Sequence, residues 1–342
     1  MTYRGPPAPA DVDDDGEELL VPETRAAPGP ADEWAYQHDL ALYDSPEGLA
    51  GVAVPFLRTG LDDGDGAVVV AGAEAAAVLT DAFAGDDRVL VLDPTDVYRT
   101  RTPAAITALR ELAQREAPRG HRLRVVGETV FGPTPRHRLE WQRFEAVINE
   151  ALQPQPLWGL CLYDTRTLPD EVVDAGLRTH PQLVTAEGRR PNAGYQPPAD
   201  YLRSLPVLPE PLEETEPLLA VDDVSDFIGL RHAVGARLSG LGGSPDLVED
   251  VHLAIDEMAS NAVRHGAPPV QVRLWASADR VVCRISDRGS GMDDPFAGFG
   301  PAYGSDLSRG GMGLWLARQL CDHVDVIDEG AGLTVRLTTA LR

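Results

Sequence analysis

Residues 257–266 read EMASNAVRHG and place a carboxylate, a carboxamide and an imidazole at successive spacings of four. Side chains four residues apart lie on one face of an α-helix because the helix repeats every 3.6 residues. Glu257, Asn261 and His265 are therefore predicted to share a helix flank. A carboxylate so placed can orient or deprotonate a nucleophile, and a carboxamide oxygen can bind a hard cation such as Mg²⁺. Taken alone, the stretch is more typical of a solvated polar flank.

The neighbouring residues supply both ends of this helix. Ser244 is a typical N-cap, Pro245 suits the first turn, and Gly266 stands just past the predicted end. Apolar residues repeat at helical spacing between these ends, which predicts a buried stripe beside the polar flank. The stripe comprises Leu247, Val251, Ala254, Ile255, Met258 and Ala262.

Composition excludes several classes of function. The chain has 342 residues, enough for two domains, and a formal net charge of -24. Neither nucleic acid nor an anionic membrane attracts so acidic a protein without a concentrated basic patch, and the sequence contains no such patch. The sequence also contains no Lys, so the positive charge is carried by Arg. This excludes lysine-dependent chemistry, including the phosphate-binding Lys of a Walker A loop.

The cysteines and the apolar runs bear on location. Cys161, Cys283 and Cys321 are odd in number and far apart, a spacing that fits neither a disulfide framework nor a zinc cluster. We interpret them as small core residues in a reducing cytosol. The chain does not start with a basic segment followed by an apolar stretch, and no apolar run approaches the ~20 residues that span a bilayer. The sequence predicts a cytoplasmic protein without a membrane segment.

The chain divides into four parts. Residues 1–32 are acidic and rich in Pro and are predicted to form a disordered tail. Across residues 33–186 apolar strands alternate with helical segments, which predicts an α/β domain with a mostly parallel sheet between two helical layers. Residues 187–217 are crowded with Pro and are predicted to be the linker between domains.

The fourth part, residues 218–342, has a different order of elements. A short strand precedes two helices, the first with Asp223 or Ser225 available as its cap. Two strands, a glycine-rich loop, a helix from Met312 to Cys321 and a final hairpin follow. Helices grouped against a mixed or antiparallel sheet form a two-layer α+β sandwich.

Two glycine-rich motifs follow the helix quoted above. Asp287 ends a strand and begins DRGSGM, in which Gly289 and Gly291 allow a tight backbone turn. An Asp in that place can accept a hydrogen bond from an exocyclic amine such as that of adenine. The second motif, RGGMGLW at residues 309–315, leads from a loop into a helix, where free N–H groups and the helix dipole favour a phosphate. A turn and a glycine hinge explain each motif taken alone.

Taken in order, Glu-x-x-x-Asn-x-x-x-His, Asp-x-Gly-x-Gly and Arg-x-Gly-Met-Gly-Leu resemble the N, G1 and G2 boxes of the Bergerat-fold (GHKL) ATPases. The resemblance covers about residues 218–341 and is strongest to the anti-sigma-factor serine kinases. It implies ATP and Mg²⁺ as cofactors, with Glu257 as the catalytic base or orienting carboxylate, Asn261 as the Mg²⁺ ligand and Asp287 as the adenine partner. The remaining residues implied to contact the nucleotide are His265, Gly289, Gly291, Met292, Arg309, Gly311, Met312, Gly313 and Leu314.

The same resemblance implies partners and alternatives. A kinase of this class phosphorylates a serine of a small anti-anti-sigma (STAS-type) protein, binds a sigma factor and often pairs as a homodimer. A nucleotide-binding switch without phosphoryl transfer is one alternative. A sensor histidine kinase is another, disfavoured because His232 and His252 lack the sequence context of a phosphoacceptor. The segment from Asp293 to Ser308 is predicted to be a lid over the pocket.

The first domain lacks the GxxxxGK[ST] motif after its second predicted strand, so nucleotide hydrolysis is not expected there. Its segments QHDLALYD, FLRTGLDDGDGAVVV, RVVGE, EAVIN and LCLYDT resemble the MEDS (methanogen/methylotroph sensory) domains, over about residues 34–184. The resemblance implies a sensor of a small organic compound, whose identity the residues do not give. Ligand binding in this domain is expected to alter the kinase or its grip on partners.

Candidate sensory residues lie at or near predicted strand ends, where open α/β sheets bind ligands. They are His38, Glu128, Tyr163 and Asp164. A purely structural role is an equally good interpretation of each. His180 precedes a Pro and is predicted to be a helix-end or turn residue.

Overall fold

The structure, a computed structural model, describes residues 35–98, 101–300, 311–328, 330 and 332–341. The predicted acidic tail of residues 1–32 lies outside the described residues. Within the described ranges, no helix combines the length and apolar character needed to cross a membrane.

The first domain is built on a seven-stranded sheet with the strand order β3-β2-β4-β5-β1-β6-β7. All its strand pairs are parallel except the last, in which β7 runs antiparallel to β6. One hydrophobic core joins α1 and α2 to one face of the sheet, and another joins α4 and α5 to the opposite face. The predicted three-layer α/β domain is confirmed. Its elements are β1 (Gln37–Tyr43), α1 (Pro46–Asp63), β2 (Gly66–Val70), α2 (Ala73–Ala82), β3 (Val89–Leu92), α3 (Pro94–Val97), α4 (Thr102–Glu116), β4 (Leu123–Gly127), α5 (Pro135–Ala151), β5 (Leu157–Asp164), α6 (Asp170–Thr179), β6 (Gln182–Thr185) and β7 (Gly188–Pro191).

The Pro-rich segment is better ordered than its composition indicated. It contributes β7 to the sheet, then forms α7 (Pro198–Ser204) and a short 3₁₀ helix (Pro211–Glu214). The ring of Tyr201 is buried between Ala146 and Ala175, on α5 and α6. Residues 188–204 of the predicted linker therefore pack on the first domain, because one aromatic side chain gives a Pro-initiated helix enough apolar surface to pack.

The second domain is a five-stranded antiparallel sheet with the order β11-β12-β10-β9-β8. A single hydrophobic core joins α8, α9 and α10 to this sheet, so the predicted two-layer α+β sandwich is confirmed. Its elements are β8 (Leu219–Val221), α8 (Phe227–Leu238), α9 (Pro245–His265), β9 (Gln271–Ala276), β10 (Arg280–Ser286), α10 (Gly311–Leu320), β11 (His323–Asp328) and β12 (Leu333–Ala340).

The ends of α9 confirm the sequence prediction. Ser244 Oγ accepts a hydrogen bond from the backbone N–H of Leu247 at 3.2 Å, and Gly266 is the C-cap. Within the predicted core stripe only Leu247 is half-buried, and the other five residues are buried. The predicted cap of α8 is wrong, because Asp226 occupies that position and accepts from the N–H of Gly229 at 2.9 Å.

An ion cluster around Asp325 on β11 joins the two domains. Its carboxylate binds Arg136 at 2.9 Å and Arg143 at 3.0 Å, both on α5, and Arg336 on β12 at 2.8 Å. The Asp325 side chain is only 3% exposed. Burial by itself raises the pKa of this carboxyl, but Arg143 and Arg336 outweigh burial and lower the pKa from 3.8 to about 2.

We expect Asp325→Asn to lower the free energy of unfolding by about 3 kcal/mol, because it removes the buried negative charge that Arg136, Arg143 and Arg336 share. The folded-state pKa is depressed, so this carboxylate stabilises the fold above pH 3.8, and the contribution disappears as the pH falls towards about 2. Denaturant unfolding at several pH values measures both effects.

Asp222→Asn is the matched control. Asp222 pairs with Arg273 but its side chain is 85% exposed, so the same chemical change should cost less than about 1 kcal/mol. Equal losses of stability in the two variants would contradict a structural role for the buried cluster.

Candidate functional site

The polar flank of α9 meets the start of α10. A Cβ atom built on Gly313 would lie 2.5 Å from Asn261 Nδ2 and 3.3 Å from Glu257 Oε2. Only a residue without a side chain allows α10 to approach α9 so closely. Two of the motifs that are separate in sequence are thus in contact.

Asp287 follows β10 and is held in place by backbone groups. Its Oδ1 accepts hydrogen bonds from the N–H of Gly289 at 2.7 Å and of Ala267 at 3.4 Å. Gly291 continues the turn with a φ of +84°, a conformation that favours glycine, and it lies against Asp328. The DRGSGM motif therefore fixes a carboxylate at the end of the sheet.

A cavity of about 640 Å³ connects these features. This volume is typical of sites that bind small molecules. The predicted residues that line it are Asn261, His265, Asp287, Gly289, Gly291, Met292 and Leu314. Ile285, Leu333 and Val335 contribute apolar surface from the sheet. The cavity thus combines an apolar wall with a few polar groups at its ends.

Several predicted residues do not line the cavity. Glu257 and Gly313 lie beside Asn261 but do not line it, and neither does Met312, whose side chain is exposed. Gly311 begins α10. Arg309 lies outside the described residues, as does the predicted lid beyond residue 300.

The first domain supplies part of the cavity wall, which the sequence reasoning missed. Arg110 on α4 and Val147, Glu150 and Ala151 on α5 all line the cavity. Arg110 donates a hydrogen bond to the carbonyl of Ala151 at 2.7 Å, which joins the two helices at this wall. No local pattern in the sequence indicates such a contact, because it depends on how the domains pack.

The described part of the predicted lid packs against the first domain. Phe299 is 3% exposed and belongs to the hydrophobic core that includes α4 and α5, and Phe296 packs beside it. The guanidinium of Arg318 on α10 lies 4.1 Å from the centre of the Phe299 ring. Both phenylalanines also line the cavity, so this segment contacts both domains.

The structure does not bring the four candidate sensory residues together. Glu128 follows β4 and accepts hydrogen bonds from the Tyr43 hydroxyl at 2.5 Å and the N–H of Gly72 at 2.9 Å. Asp164, at the carboxyl end of β5, forms an ion pair with Arg166 at 2.8 Å. Both carboxylates therefore join neighbouring segments at the carboxyl ends of the strands.

His38 and Tyr163 lie elsewhere. His38 is at the amino end of β1 and is buried, and its ring lies 3.8 Å from that of His180. The ring of Tyr163 makes an edge contact with His180 at 5.8 Å. His180 is the C-cap of α6, which confirms its predicted place at a helix end, although it is fully buried.

Two family profiles match the chain. One, described as MEthanogen/methylotroph, DcmR Sensory domain (MEDS), matches residues 37–181. The other, described as Histidine kinase-like ATPase domain, matches residues 222–339 and contains all the described residues of the second domain that line the cavity. The chain therefore carries a MEDS domain followed by an ATPase domain, as the resemblances implied.

Curated relatives match the ATPase region. Serine-protein kinase RsbW of Bacillus licheniformis is 35% identical over 130 residues, which cover 34% of this chain and 79% of that protein. The Anti-sigma F factor of Clostridium beijerinckii is 31% identical over 106 residues, covering 29% of this chain and 74% of that protein. A crystal structure of the RsbU and RsbW domains of Rv1364c from Mycobacterium tuberculosis is 23% identical, covers 37% of this chain and 32% of that one, and has a TM-score of 0.27.

We expect Gly313→Ala to weaken binding of ADP at least about tenfold, because the new methyl group would displace Asn261. Titration calorimetry measures the affinity. Gly235→Ala is the control: it lies in α8, where a Cβ meets only a His252 ring carbon at 3.7 Å, and Ala should stabilise the helix slightly. Unchanged ADP affinity in Gly313→Ala would contradict a role of this cavity in nucleotide binding.

Proposed function

Because its ATPase domain is 35% identical to a relative of which it covers 79%, the chain belongs to the RsbW family of serine-protein kinases, and on that premise we propose that it is an ATP-dependent protein serine kinase. Its proposed substrate is a serine of an anti-anti-sigma (STAS-type) protein. A relative named Anti-sigma F factor supports a sigma factor as the second partner. The cavity that joins Asp287 to the contact between Asn261 and Gly313 is the observation that carries this proposal.

Asp287 is proposed to bind adenine. Within the described residues, both hydrogen bonds of its carboxylate end on Oδ1. This leaves Oδ2 to accept from the exocyclic amine of adenine, whereas guanine presents a carbonyl oxygen at the same position. The apolar surface of Ile285 and Val335 suits the faces of a purine ring.

The other end of the cavity is proposed to hold the phosphates. The start of α10 at Gly311 supplies backbone N–H groups, which favour an anion. Asn261 is the proposed Mg²⁺ ligand, since its carboxamide offers an oxygen and lies at this end of the cavity. When bound, Mg²⁺ neutralises charge on the phosphates. Glu257 is close enough to Gly313 to orient a serine hydroxyl or accept its proton.

A histidine kinase is the less supported reading. His232 and His252 lie on α8 and α9, inside the ATPase domain itself. His252 Nε2 is within 3.0 Å of the carbonyl of Arg231, a local contact within the pair of helices. A phosphoacceptor normally projects from a separate dimerisation hairpin.

Regulation by the MEDS domain is part of the proposal. Its support is the shared wall, since Val147 and Glu150 on α5 border the cavity in the ATPase domain. A change in α5 would alter the shape of that wall directly. The small-molecule ligand, the homodimer and the cytoplasmic location stay predictions.

Incubation with γ-labelled ATP and each STAS-type protein of the same genome tests the proposal. Acid-stable label on a partner serine supports the kinase. Acid-labile label on the chain itself would identify a histidine kinase. Nucleotide binding without transfer to any partner would identify a binding switch.

We expect Glu257→Gln to lower phosphate transfer at least about 100-fold, because the amide can neither accept the proton nor orient the hydroxyl as a carboxylate does. Binding of ADP should change by less than about threefold. Glu249→Gln is the matched control, since Glu249 lies on the exposed face of the same helix. Full transfer by Glu257→Gln would remove this residue from the proposed role.

A further inference from the structure

Four buried side chains converge inside the MEDS domain. His38 on β1, Glu145 on α5, Cys161 on β5 and His180 after α6 each offer one atom, and these four atoms all lie within 4.8 Å of one another. His38 Nε2 is 3.3 Å from Cys161 Sγ and 3.3 Å from Glu145 Oε2. His180 Nε2 is 3.5 Å from the same Glu145 oxygen. The side chains of His38, Glu145 and His180 are at most 1% exposed.

The side chain of Asn149 determines which ring nitrogen of His38 carries the proton. Its Nδ1 lies 3.2 Å from Asn149 Oδ1, while Asn149 Nδ2 donates to the carbonyls of Glu145 and Thr179, each at 3.0 Å. Those two bonds orient the carboxamide so that its oxygen faces the imidazole. Nδ1 of His38 therefore carries the proton, and the lone pair of Nε2 points into the cluster.

His180 is arranged in the same way. Its Nδ1 lies 2.9 Å from the carbonyl oxygen of Gly176, which can only accept, so Nδ1 carries the proton. The lone pair of Nε2 again points into the cluster. Histidines that bind metals typically donate their other N–H to a carbonyl or amide oxygen in this manner.

Two acceptor atoms at the centre of the cluster have no donor. Glu145 Oε1 accepts from the Thr129 hydroxyl at 2.7 Å, but Glu145 Oε2 and His180 Nε2 are buried polar atoms without a hydrogen bond. Lone pairs on the two imidazole nitrogens and on Glu145 Oε2 therefore face one another beside the Cys161 thiol, an arrangement that a cation would stabilise by displacing the thiol proton.

The ligand set and its spacing fit zinc. Two imidazole nitrogens, one carboxylate oxygen and one thiolate sulfur are ligands that Zn²⁺ accepts in tetrahedral geometry, with bonds of about 2.0 to 2.3 Å. Tetrahedral angles then separate the ligand atoms by about 3.3 to 3.7 Å, which matches the 3.3 to 3.5 Å observed for three of the pairs. Binding would convert the Cys161 thiol to a thiolate and release one proton, and two anionic ligands would balance the two positive charges.

We propose that His38, Glu145, Cys161 and His180 form a binding site for one zinc ion within the MEDS domain. The site has four protein ligands and is closed by the rings of Tyr36 and Tyr163. A closed four-ligand site is typical of structural zinc. The ion would tie α5 to two strands of the sheet and to the end of α6. The four ligands do not form a recognisable sequence motif, since 142 positions separate the first ligand from the last.

Metal analysis of the untagged full-length chain tests the site. We expect one zinc per chain after purification and, after removal of the metal, uptake of one Co²⁺ with the absorption spectrum of a tetrahedral site and a thiolate charge-transfer band. Wild-type protein that is folded by circular dichroism, yet holds no stoichiometric metal and gives no such spectrum, would overturn the proposal. The cluster would then be a proton-bonded network, with a proton on the buried Glu145.

Cysteine variants locate the sulfur ligand. Cys161→Ser should abolish the charge-transfer band and weaken Co²⁺ binding at least about 100-fold. Cys283→Ser removes another buried thiol, in the ATPase domain, and should leave both unchanged. A band that survives Cys161→Ser would also contradict the assignment. The decisive stoichiometry is measured on the wild-type chain, so poor folding of a variant does not affect it.

Discussion

The carboxylate of Asp325 holds three arginines from both domains, and the relative placement of those domains depends on this interaction. A buried carboxylate is costly unless its partners are charged and close. Here the partners are Arg136 and Arg143 on α5 and Arg336 on β12. Because the chain contains no Lys, each of these partners is a guanidinium, whose planar fork can serve a carboxylate from several directions at once.

Helix α5 connects the features that matter for function. Its first turn carries Arg136, its middle carries Arg143 and the Glu145 of the proposed zinc site, and its last turn carries Glu150 and Ala151 at the wall of the cavity. A helix is stiff over this length, since its hydrogen bonds run along the axis. The proposed zinc site, the domain contact and the proposed nucleotide cavity are therefore three points on one rigid element.

The sequence predicts local features well and distant contacts poorly. The ends of α9 carry their own capping signals, and Asp287 lies one residue past the end of its strand, close to its predicted place, because both features depend on neighbouring residues. Tyr201 illustrates the opposite case: its packing turns part of a Pro-rich segment into a helix, and composition does not show that contact. The same is true of the cavity wall formed by α4 and α5, and of the cluster that contains His38 and Cys161. Both form only when segments distant in sequence come into contact. Spacing rules for cysteine and histidine detect metal sites within one loop, not sites assembled across a sheet.

Phe299 lies in the core of the MEDS domain while its segment lines the cavity of the ATPase domain. A nucleotide that shifts this segment on binding would have to disrupt the packing of Phe299 in the MEDS core. Thermodynamic reciprocity then applies, because a ligand that changes the affinity of a second site by some factor has its own affinity changed by the same factor. Under the proposed regulation, a compound that stabilises the MEDS core with Phe299 in place would favour one nucleotide state, and that nucleotide would raise the affinity for the compound by the same factor.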